Sequence, residues 1–128
     1  MRLLLDTHLL IWSAGFSSRL SATAKRLIAD DSNTLHFSSA SIWEIAIKAA
    51  KGVAEFEVDP QQILRGLVAN DYVEVAVLSS HAVAVGQLPQ IHKDPFDRIL
   101  LAQCAVEQLT LVTMDTQLSR YPGAIVRV

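Results

Sequence analysis

The stretch PFDRILLAQCAVEQLTLVTMD, residues 95–115, joins a long helix-like segment to a short apolar strand. PFDRILLAQCAVEQ is the longest predicted helix of the chain, and TLVTMD is apolar along almost its whole length. A strand of this kind is typical of a sheet that is covered on both faces. A helix that leads into such a strand indicates an α/β protein with a parallel sheet.

The rest of the chain repeats this alternation. Strands are predicted at residues 2–6, 34–39 and 72–78, and the C-terminal AIVRV follows the strand at 110–115. Helices are predicted at residues 7–14, 21–31, 41–52 and 60–70, with a short one beginning at SSHAVAV. The pattern predicts βαβ crossovers and a central parallel β-sheet flanked by helices on both faces. No repeat or linker divides the 128 residues, so a single domain over residues 1–128 is expected.

Composition narrows the class of protein. The hydrophobic fraction of 51% and the mean hydropathy of +0.31 favour a buried sheet over a disordered chain. No apolar run approaches the roughly 18 residues of a membrane span. Asp6 and His8 interrupt the apolar N-terminus, and the lone Cys104 is typical of a small core residue, so a cytoplasmic protein is expected. The net charge of -2 disfavours a strongly basic nucleic-acid binder but allows a local basic rim.

Four carboxylates come from separated segments that a parallel sheet brings to one edge. Asp6 and Asp115 end two strands, Asp97 lies in the first turn of the longest helix, and Glu44 lies near the start of the helix after the second strand. Carboxylates about 4 Å apart repel by roughly 4 kcal/mol per pair at an effective dielectric near 20, and a cation is the simplest relief. Four other acidic residues lack this placement and are expected on the solvated surface: Glu55, Glu57, Asp59 and Glu74.

Each of the four carboxylates also has a purely structural explanation. Asp6 and Asp115 can accept free backbone N–H groups at strand ends, and Glu44 can pair with Lys48 at i,i+4. Taken together, however, oxygen-only ligands favour a hard divalent ion, Mg²⁺ or Mn²⁺, over zinc. The histidines have no metal-ligand spacing and are interpreted as structural or surface residues: His8, His36, His81 and His92. No nucleophile elbow, dinucleotide fingerprint or phosphate loop is present.

The segment HKDPFDR, residues 92–98, carries two aspartates with different expected roles. Pro95 fits the first helical position, which makes Asp94 the N-cap and Asp97 the N3 residue in a pattern that resembles a capping box. Asp94 is therefore expected to bind the helix terminus, with a secondary role near a second metal left open. Asp97 is expected to point toward Asp6 and Asp115.

Four stretches together resemble PIN-domain proteins, specifically the VapC-type toxin ribonucleases of bacterial toxin–antitoxin pairs: LLLDTHLLIW, SSASIWEIAIKAAKG, DPFDRILLAQC and LVTMDTQL. The resemblance covers the chain in order. It implies a PIN fold and an endoribonuclease that cleaves RNA with Mg²⁺- or Mn²⁺-activated water and is held inactive by a cognate antitoxin. The family's acidic positions fall on Asp6, Glu44, Asp97 and Asp115. Thr113 would orient a carboxylate or a metal-bound water.

Basic and aromatic residues near these positions suggest how RNA and partners would bind. Four cations are expected to rim the site and bind flanking phosphates, although Lys51 is equally consistent with ordinary surface charge: Lys48, Lys51, Lys93 and Arg98. Trp12 and Trp43 can stack on bases, but packing in the core or at a partner interface fits Trp43 better. The exposed-looking LLIW of the first helix, followed by Phe16, suggests a homodimer that also binds the antitoxin through an apolar groove near the N-terminal helices.

Two alternatives remain open from the sequence. A receiver-like phosphorylatable Mg²⁺-binding domain is also a parallel α/β protein, but Asp6 stands alone where an acidic pair is expected, and Ser38 and Ser39 end the second strand. A catalytically inactive PIN binding module is disfavoured by the four retained carboxylates. The RNA target and its cleavage sequence are not indicated by any residue pattern.

Overall fold

The computed structural model describes residues 1–15 and 18–128. The strands are β1 (Arg2–Leu5), β2 (Thr34–Ser38), β3 (Val73–Val75), β4 (Thr110–Thr113) and β5 (Ile125–Arg127). The helices are α1 (Thr7–Ala14), α2 (Ala22–Ala29), α3 (Ser39–Ala50), α4 (Pro60–Ala69), α5 (Ser79–Val85) and α6 (Pro95–Glu107). A 3₁₀ turn at Leu118–Arg120 precedes β5.

The strands form one parallel sheet in the order β3-β2-β1-β4-β5. In the central strand, Leu4 pairs with His36 of β2 on one side and with Leu111 of β4 on the other. The chain adds β2 and β3 on one side of β1 and then returns to add β4 and β5 on the opposite side. The strand order therefore reverses between β1 and β4, and a crevice opens outside the carboxyl ends of these two strands.

Side chains of β1 alternate between two apolar cores. Leu3 and Leu5 pack in a cluster with residues of α1, α2, α3 and α4, whereas Leu4 packs in a second cluster with α6 and the 3₁₀ turn. Because successive strand residues point to opposite faces, helices cover both faces of the sheet, as the sequence predicted. Cys104 is buried in the second cluster, where burial raises the pKa of its thiol to about 12. The expected core thiol is confirmed.

Some predicted boundaries and surfaces differ from the structure. β3 ends at Val75 rather than at residue 78, because its neighbour β2 ends at Ser38, which pairs with Val75. The LLIW segment is not an exposed patch: Leu9, Leu10 and Ile11 are buried, since α1 packs against α3 and α4. Phe16, which was predicted to extend that patch, lies outside the described residues.

The helices are short. The longest described, α6, has 13 residues. Within residues 1–15 and 18–128, no helix has both the length and the apolar character that crossing a membrane requires.

Candidate metal centre

The crevice at the ends of β1 and β4 holds a cavity of about 600 Å³. All four predicted carboxylates line it, together with the N-cap of α6: Asp6, Glu44, Asp97, Asp115 and Asp94. These five acidic side chains come from four separate segments, because Asp94 and Asp97 both belong to the start of α6. The topology explains this, because β1 and β4 are neighbours and α6 leads directly into β4.

Asp6 is fixed by hydrogen bonds to both carboxylate oxygens. As the N-cap of α1, its Oδ1 accepts the N–H of Leu9 at 3.0 Å. Its Oδ2 accepts the hydroxyl of Thr113 at 2.6 Å. Thr113 Oγ1 in turn accepts the N–H of Asp115 at 3.0 Å, so one hydroxyl links the ends of β1 and β4. Burial raises the pKa of Asp6 above its ordinary value of 3.8, although the Thr113 hydrogen bond opposes the rise.

Glu44 is held from two sides by α1 and by its own helix. Its Oε1 accepts the hydroxyl of Thr7 at 2.7 Å, and its Oε2 lies 2.6 Å from Lys48 Nζ. The i,i+4 pair with Lys48 that the sequence allowed is therefore formed. It does not lie on an exposed helix face, because Glu44 is 3% exposed and both residues line the cavity. The pairing and the placement in the site occur together.

The two aspartates at the start of α6 take the two different positions that the sequence predicted. Asp94 is the N-cap, and its Oδ1 accepts the N–H groups of Phe96 at 2.8 Å and Asp97 at 3.4 Å, with Pro95 opening the helix. The second half of the expected capping box is absent, since the N–H of Asp94 donates to His92 Nδ1 at 3.0 Å instead of to Asp97. The Asp97 carboxylate is thereby left to face the cavity.

Asp97 is a second carboxyl group of the cavity whose pKa is raised. Burial, and then the charges of Asp94, Glu44, Asp6 and Asp115, raise its pKa from 3.8 to about 8. All four neighbours act in the same direction because each disfavours a further negative charge. The raised pKa is thus a direct sign of carboxylate crowding.

Asp115 contributes to both structure and site. Its Oδ1 accepts the N–H groups of Gln117 at 2.7 Å and Leu118 at 3.2 Å, which begins the 3₁₀ turn. Its Oδ2 lies 3.3 Å from His92 Nε2. The structural explanation that the sequence allowed for Asp115 accounts for one oxygen, and the other oxygen faces the cavity.

His92 was missed by sequence analysis, which interpreted it as a structural or surface residue. Its Nε2 lies 3.3 Å from both Asp97 Oδ2 and Asp115 Oδ2, and these three groups are close enough to surround an ion. No spacing rule identifies it, because it precedes α6 in an irregular segment. The interpretation of His36 and His81 holds, since both are buried and bonded to backbone atoms.

Arg98 was predicted to bind RNA phosphates, and this prediction is wrong. Its guanidinium is buried and donates to the carbonyls of Pro89 at 2.8 Å and Val85 at 3.1 Å and to the hydroxyl of Tyr121 at 3.2 Å. A step of one residue along α6 turns the side chain by about 100°, which carries Arg98 away from the face that bears Asp97. It connects α6 to α5 and to the segment before α6.

The basic residues that line the cavity differ from those that the sequence predicted. Of the four predicted cations, Lys48 lines the cavity, whereas Lys51 and Lys93 do not. His8 and Arg19 line it instead, and both form ion pairs with Glu55, His8 at 3.2 Å. Glu55 was expected on the solvated surface. It is exposed, but it also borders the cavity, with a left-handed backbone φ of 73° that is uncommon outside glycine.

The remaining acidic residues and the tryptophans fall outside the carboxylate cluster. Glu57, Asp59 and Glu74 are exposed, as predicted. Trp12 is half-buried on the cavity wall, with its ring centroid 5.6 Å from that of His8. Trp43 is 63% exposed and packs edge-on against Phe96, so it is a surface residue rather than a core residue.

The donor set fits a hard divalent cation. The cavity offers carboxylate oxygens from Asp6, Glu44, Asp97 and Asp115, which are the ligands that Mg²⁺ and Mn²⁺ prefer. The raised pKa of Asp97 adds an energetic reason, because a cation would relieve the repulsion that causes it.

Comparisons with known proteins point to one family. The PIN domain family model matches residues 3–124. The fold is similar to VapBC2 from Rickettsia felis bound to a promoter DNA fragment, with a TM-score of 0.71, 16% identity and coverage of 100% of this chain and 99% of that one. The fold is also similar to DNA-bound VapBC from Salmonella typhimurium, with a TM-score of 0.70, 19% identity and coverage of 99% of this chain and 98% of that one. A toxin–antitoxin complex from Klebsiella pneumoniae has a TM-score of 0.66 and 23% identity, with coverage of 97% of this chain and 95% of that one. The comparison with curated protein sequences gave no significant match.

Proposed function

The chain belongs to the PIN domain family, and on that premise we propose that it is a VapC-type toxin, a single-domain metal-dependent endoribonuclease of a toxin–antitoxin pair. Family membership excludes the receiver-like alternative. The observation that carries the proposal is the gathering of Asp6, Glu44, Asp97 and Asp115 in one cavity at the reversal of strand order. A ribonuclease acting on cellular RNA would work in the cytoplasm.

The four carboxylates are proposed to hold Mg²⁺ or Mn²⁺. When bound, such a cation supplies a Lewis acid that activates the attacking water and neutralises charge at the scissile phosphate. The chain's own contribution is orientation: Thr113 directs Asp6, and Thr7 and Lys48 direct Glu44. Because these partners are themselves buried or half-buried, the carboxylates need little rearrangement to receive an ion.

The basic and aromatic residues that line the cavity support RNA as the proposed substrate. His8, Arg19 and Lys48 border the same space as the carboxylates, so a phosphodiester entering the cavity meets the cationic side chains of Arg19 and Lys48 within a chain of net charge -2. Glu55 pairs with both His8 and Arg19, and a backbone phosphate would compete with it for these two groups. Trp12 adds an aromatic surface at this wall.

An antitoxin partner is supported by the proteins of similar fold, which are VapBC pairs and a toxin–antitoxin complex. A cavity of about 630 Å³ lies between α1 and α4, near the N-terminal helices, and is the proposed contact region for such a partner. The exposed Trp43 supports the proposed homodimer, because it borders a mainly apolar cavity together with Phe96 and Val85, and exposed aromatic side chains are enriched at interfaces.

The proposal is tested by cleavage of RNA by the purified protein without antitoxin. We expect cleavage with Mg²⁺ or Mn²⁺, none in EDTA, and none by the Asp6→Asn and Glu44→Gln variants, which should remain folded by circular dichroism. Cleavage that continues unchanged in EDTA would overturn the metal mechanism. RNA binding without cleavage by the wild-type protein would instead indicate a catalytically inactive PIN module.

A further inference from the structure

We propose that His92 is a positioning residue that donates its Nε2–H to Asp115 beside Asp97, and that it is not itself a metal ligand. The inference rests on the proposed metal-dependent function, because it assigns a role toward the same cation. It concerns a side chain that lies between two carboxylates from different elements, α6 and the end of β4.

The hydrogen bond at the far side of the imidazole fixes where its proton lies. The backbone N–H of Asp94 donates to His92 Nδ1 at 3.0 Å, so Nδ1 must offer a lone pair and cannot carry hydrogen. A neutral imidazole has one protonated nitrogen, which is therefore Nε2. This nitrogen lies 3.3 Å from Asp115 Oδ2 and 3.3 Å from Asp97 Oδ2. The protonated Nε2 thus faces two carboxylate oxygens. It cannot bind a metal, because a metal ligand needs a free lone pair.

The backbone of His92 is fixed independently of its ring. Its N–H donates to the hydroxyl of Tyr121 at 2.6 Å, and its carbonyl accepts from Arg98 Nη1 at 3.4 Å. Arg98 Nη1 also donates to the Tyr121 hydroxyl at 3.2 Å, so these three residues form one closed network. Buried Arg98 and Tyr121 therefore hold the backbone of His92, and the Asp94 N–H orients its ring from the side opposite the carboxylates.

The donor is needed once a cation is bound, because ionised carboxylates cannot donate hydrogen bonds to one another. Asp115 uses Oδ1 for the backbone of the 3₁₀ turn, and Asp97 lies next to an N-cap that already occupies the helix N–H groups. The imidazole N–H donates to Asp115 Oδ2 and lies 3.3 Å from Asp97 Oδ2, where its positive end reduces the repulsion between these two oxygens. Partners of this kind, which orient a metal-binding group without touching the metal, are worth roughly 10–100-fold in metal affinity.

Two substitutions separate the two ends of the ring. In His92→Gln, the amide N–H is as many bonds from Cα as Nε2 is, so the donor toward the carboxylates is retained. In His92→Asn, the amide oxygen replaces Nδ1 as acceptor for the Asp94 N–H, and the donor toward the carboxylates is lost. A purely structural role predicts the reverse order of severity, because only Asn preserves the contact with the helix terminus.

The readout is Mn²⁺ affinity, measured by isothermal titration calorimetry and by the electron paramagnetic resonance signal of free Mn²⁺. We expect His92→Gln to bind within about threefold of wild type and His92→Asn to bind roughly 10–100-fold more weakly. Both variants should unfold in EDTA within a few degrees of wild type. Wild-type affinity in His92→Asn, or equal weakening in both variants, would overturn the inference.

A second measurement tests the proton position directly. Imidazole ¹⁵N shifts in the wild-type protein should show His92 with an unprotonated Nδ1 and a protonated Nε2, both before and after Mg²⁺ is added. A protonated Nδ1 in either state would overturn the inference. Failure of the wild type to bind Mn²⁺ or Mg²⁺ at all would overturn the proposed function instead, so the two failures are distinguishable.

Discussion

Replacing Asp97 with asparagine should stabilise the metal-free protein at high pH while abolishing cleavage. Burial and four neighbouring carboxylates raise the pKa of Asp97 from 3.8 to about 8 in the folded protein. In the unfolded chain the pKa returns to its ordinary value. An amide of the same shape has no charge to accommodate, so Asp97→Asn removes the electrostatic penalty and also removes a proposed ligand.

The sign follows from which state binds the proton more tightly. The folded state has the raised pKa, so stability is fully present below pH 4 and is lost as pH rises toward 8, where the ionised group must be accommodated. A rise from 3.8 to about 8 corresponds to at most roughly 6 kcal/mol at 1.36 kcal/mol per unit. Counterions that reach the cavity screen part of this repulsion, so we expect Asp97→Asn to be about 1–3 kcal/mol more stable than wild type at pH 9.

The assay is urea unfolding in EDTA, followed by circular dichroism from pH 4 to pH 9. The difference between Asp97→Asn and wild type should be near zero at pH 4, grow with pH and level off above pH 8. Glu74→Gln, which alters an exposed carboxylate outside the cavity, serves as the control and should show no such trend. Saturating Mn²⁺ should reverse the order, because only the wild type retains all proposed ligands. A difference that is independent of pH, or a less stable variant at pH 9, would refute the reasoning.

Two further predictions concern the neighbours of Asp97 on α6. Asp94→Ala should cost about 1 kcal/mol of stability, as the loss of an N-cap does, and leave substantial cleavage. An inactive Asp94→Ala beside an active Asp97→Asn, compared by turnover and thermal unfolding, would mean that the two roles are reversed. Arg98→Gln should lose about 2–4 kcal/mol in urea unfolding, because it leaves buried carbonyls and the Tyr121 hydroxyl without their charged donor. Weaker RNA binding by a fully stable Arg98→Gln protein would restore the phosphate-binding role that the structure argues against.

The fold was predictable because its central strand is apolar at successive residues. Leu3, Leu4 and Leu5 are all buried, and a strand can bury three successive side chains only if both of its faces are covered. The pattern could not predict where β3 ends, because that boundary depends on the end of its pairing partner at Ser38. It also misjudged α1: an apolar run in a helix near the terminus was interpreted as an interface, although α3 and α4 cover it.

The gathering of the carboxylates was predictable for a topological reason. Residues that follow parallel strands lie at one edge of the sheet, so Asp6 and Asp115 could be placed without knowing any side-chain conformation. Arg98 carried an overlooked signal: if Asp97 faces the cavity, the next residue must face about 100° away. His92 carried no comparable signal, because its position is set by Tyr121 and Arg98 through contacts distant in sequence.

The hydrogen bonds of the cavity explain how crowded carboxylates persist in a stable fold. Asp6, Glu44 and Asp115 each direct at least one oxygen to a donor of the chain, and Asp97 faces the imidazole of His92. Each bond lowers the cost of one charge, but none removes the repulsion among the charges, as the raised pKa of Asp97 records. Burial of the two apolar cores on either side of β1 offsets the destabilisation that this residual repulsion causes. Binding of a divalent cation would therefore stabilise the whole fold as well as complete the proposed site, so in saturating Mn²⁺ the metal affinity and the free energy of unfolding should fall together in every variant of a proposed ligand.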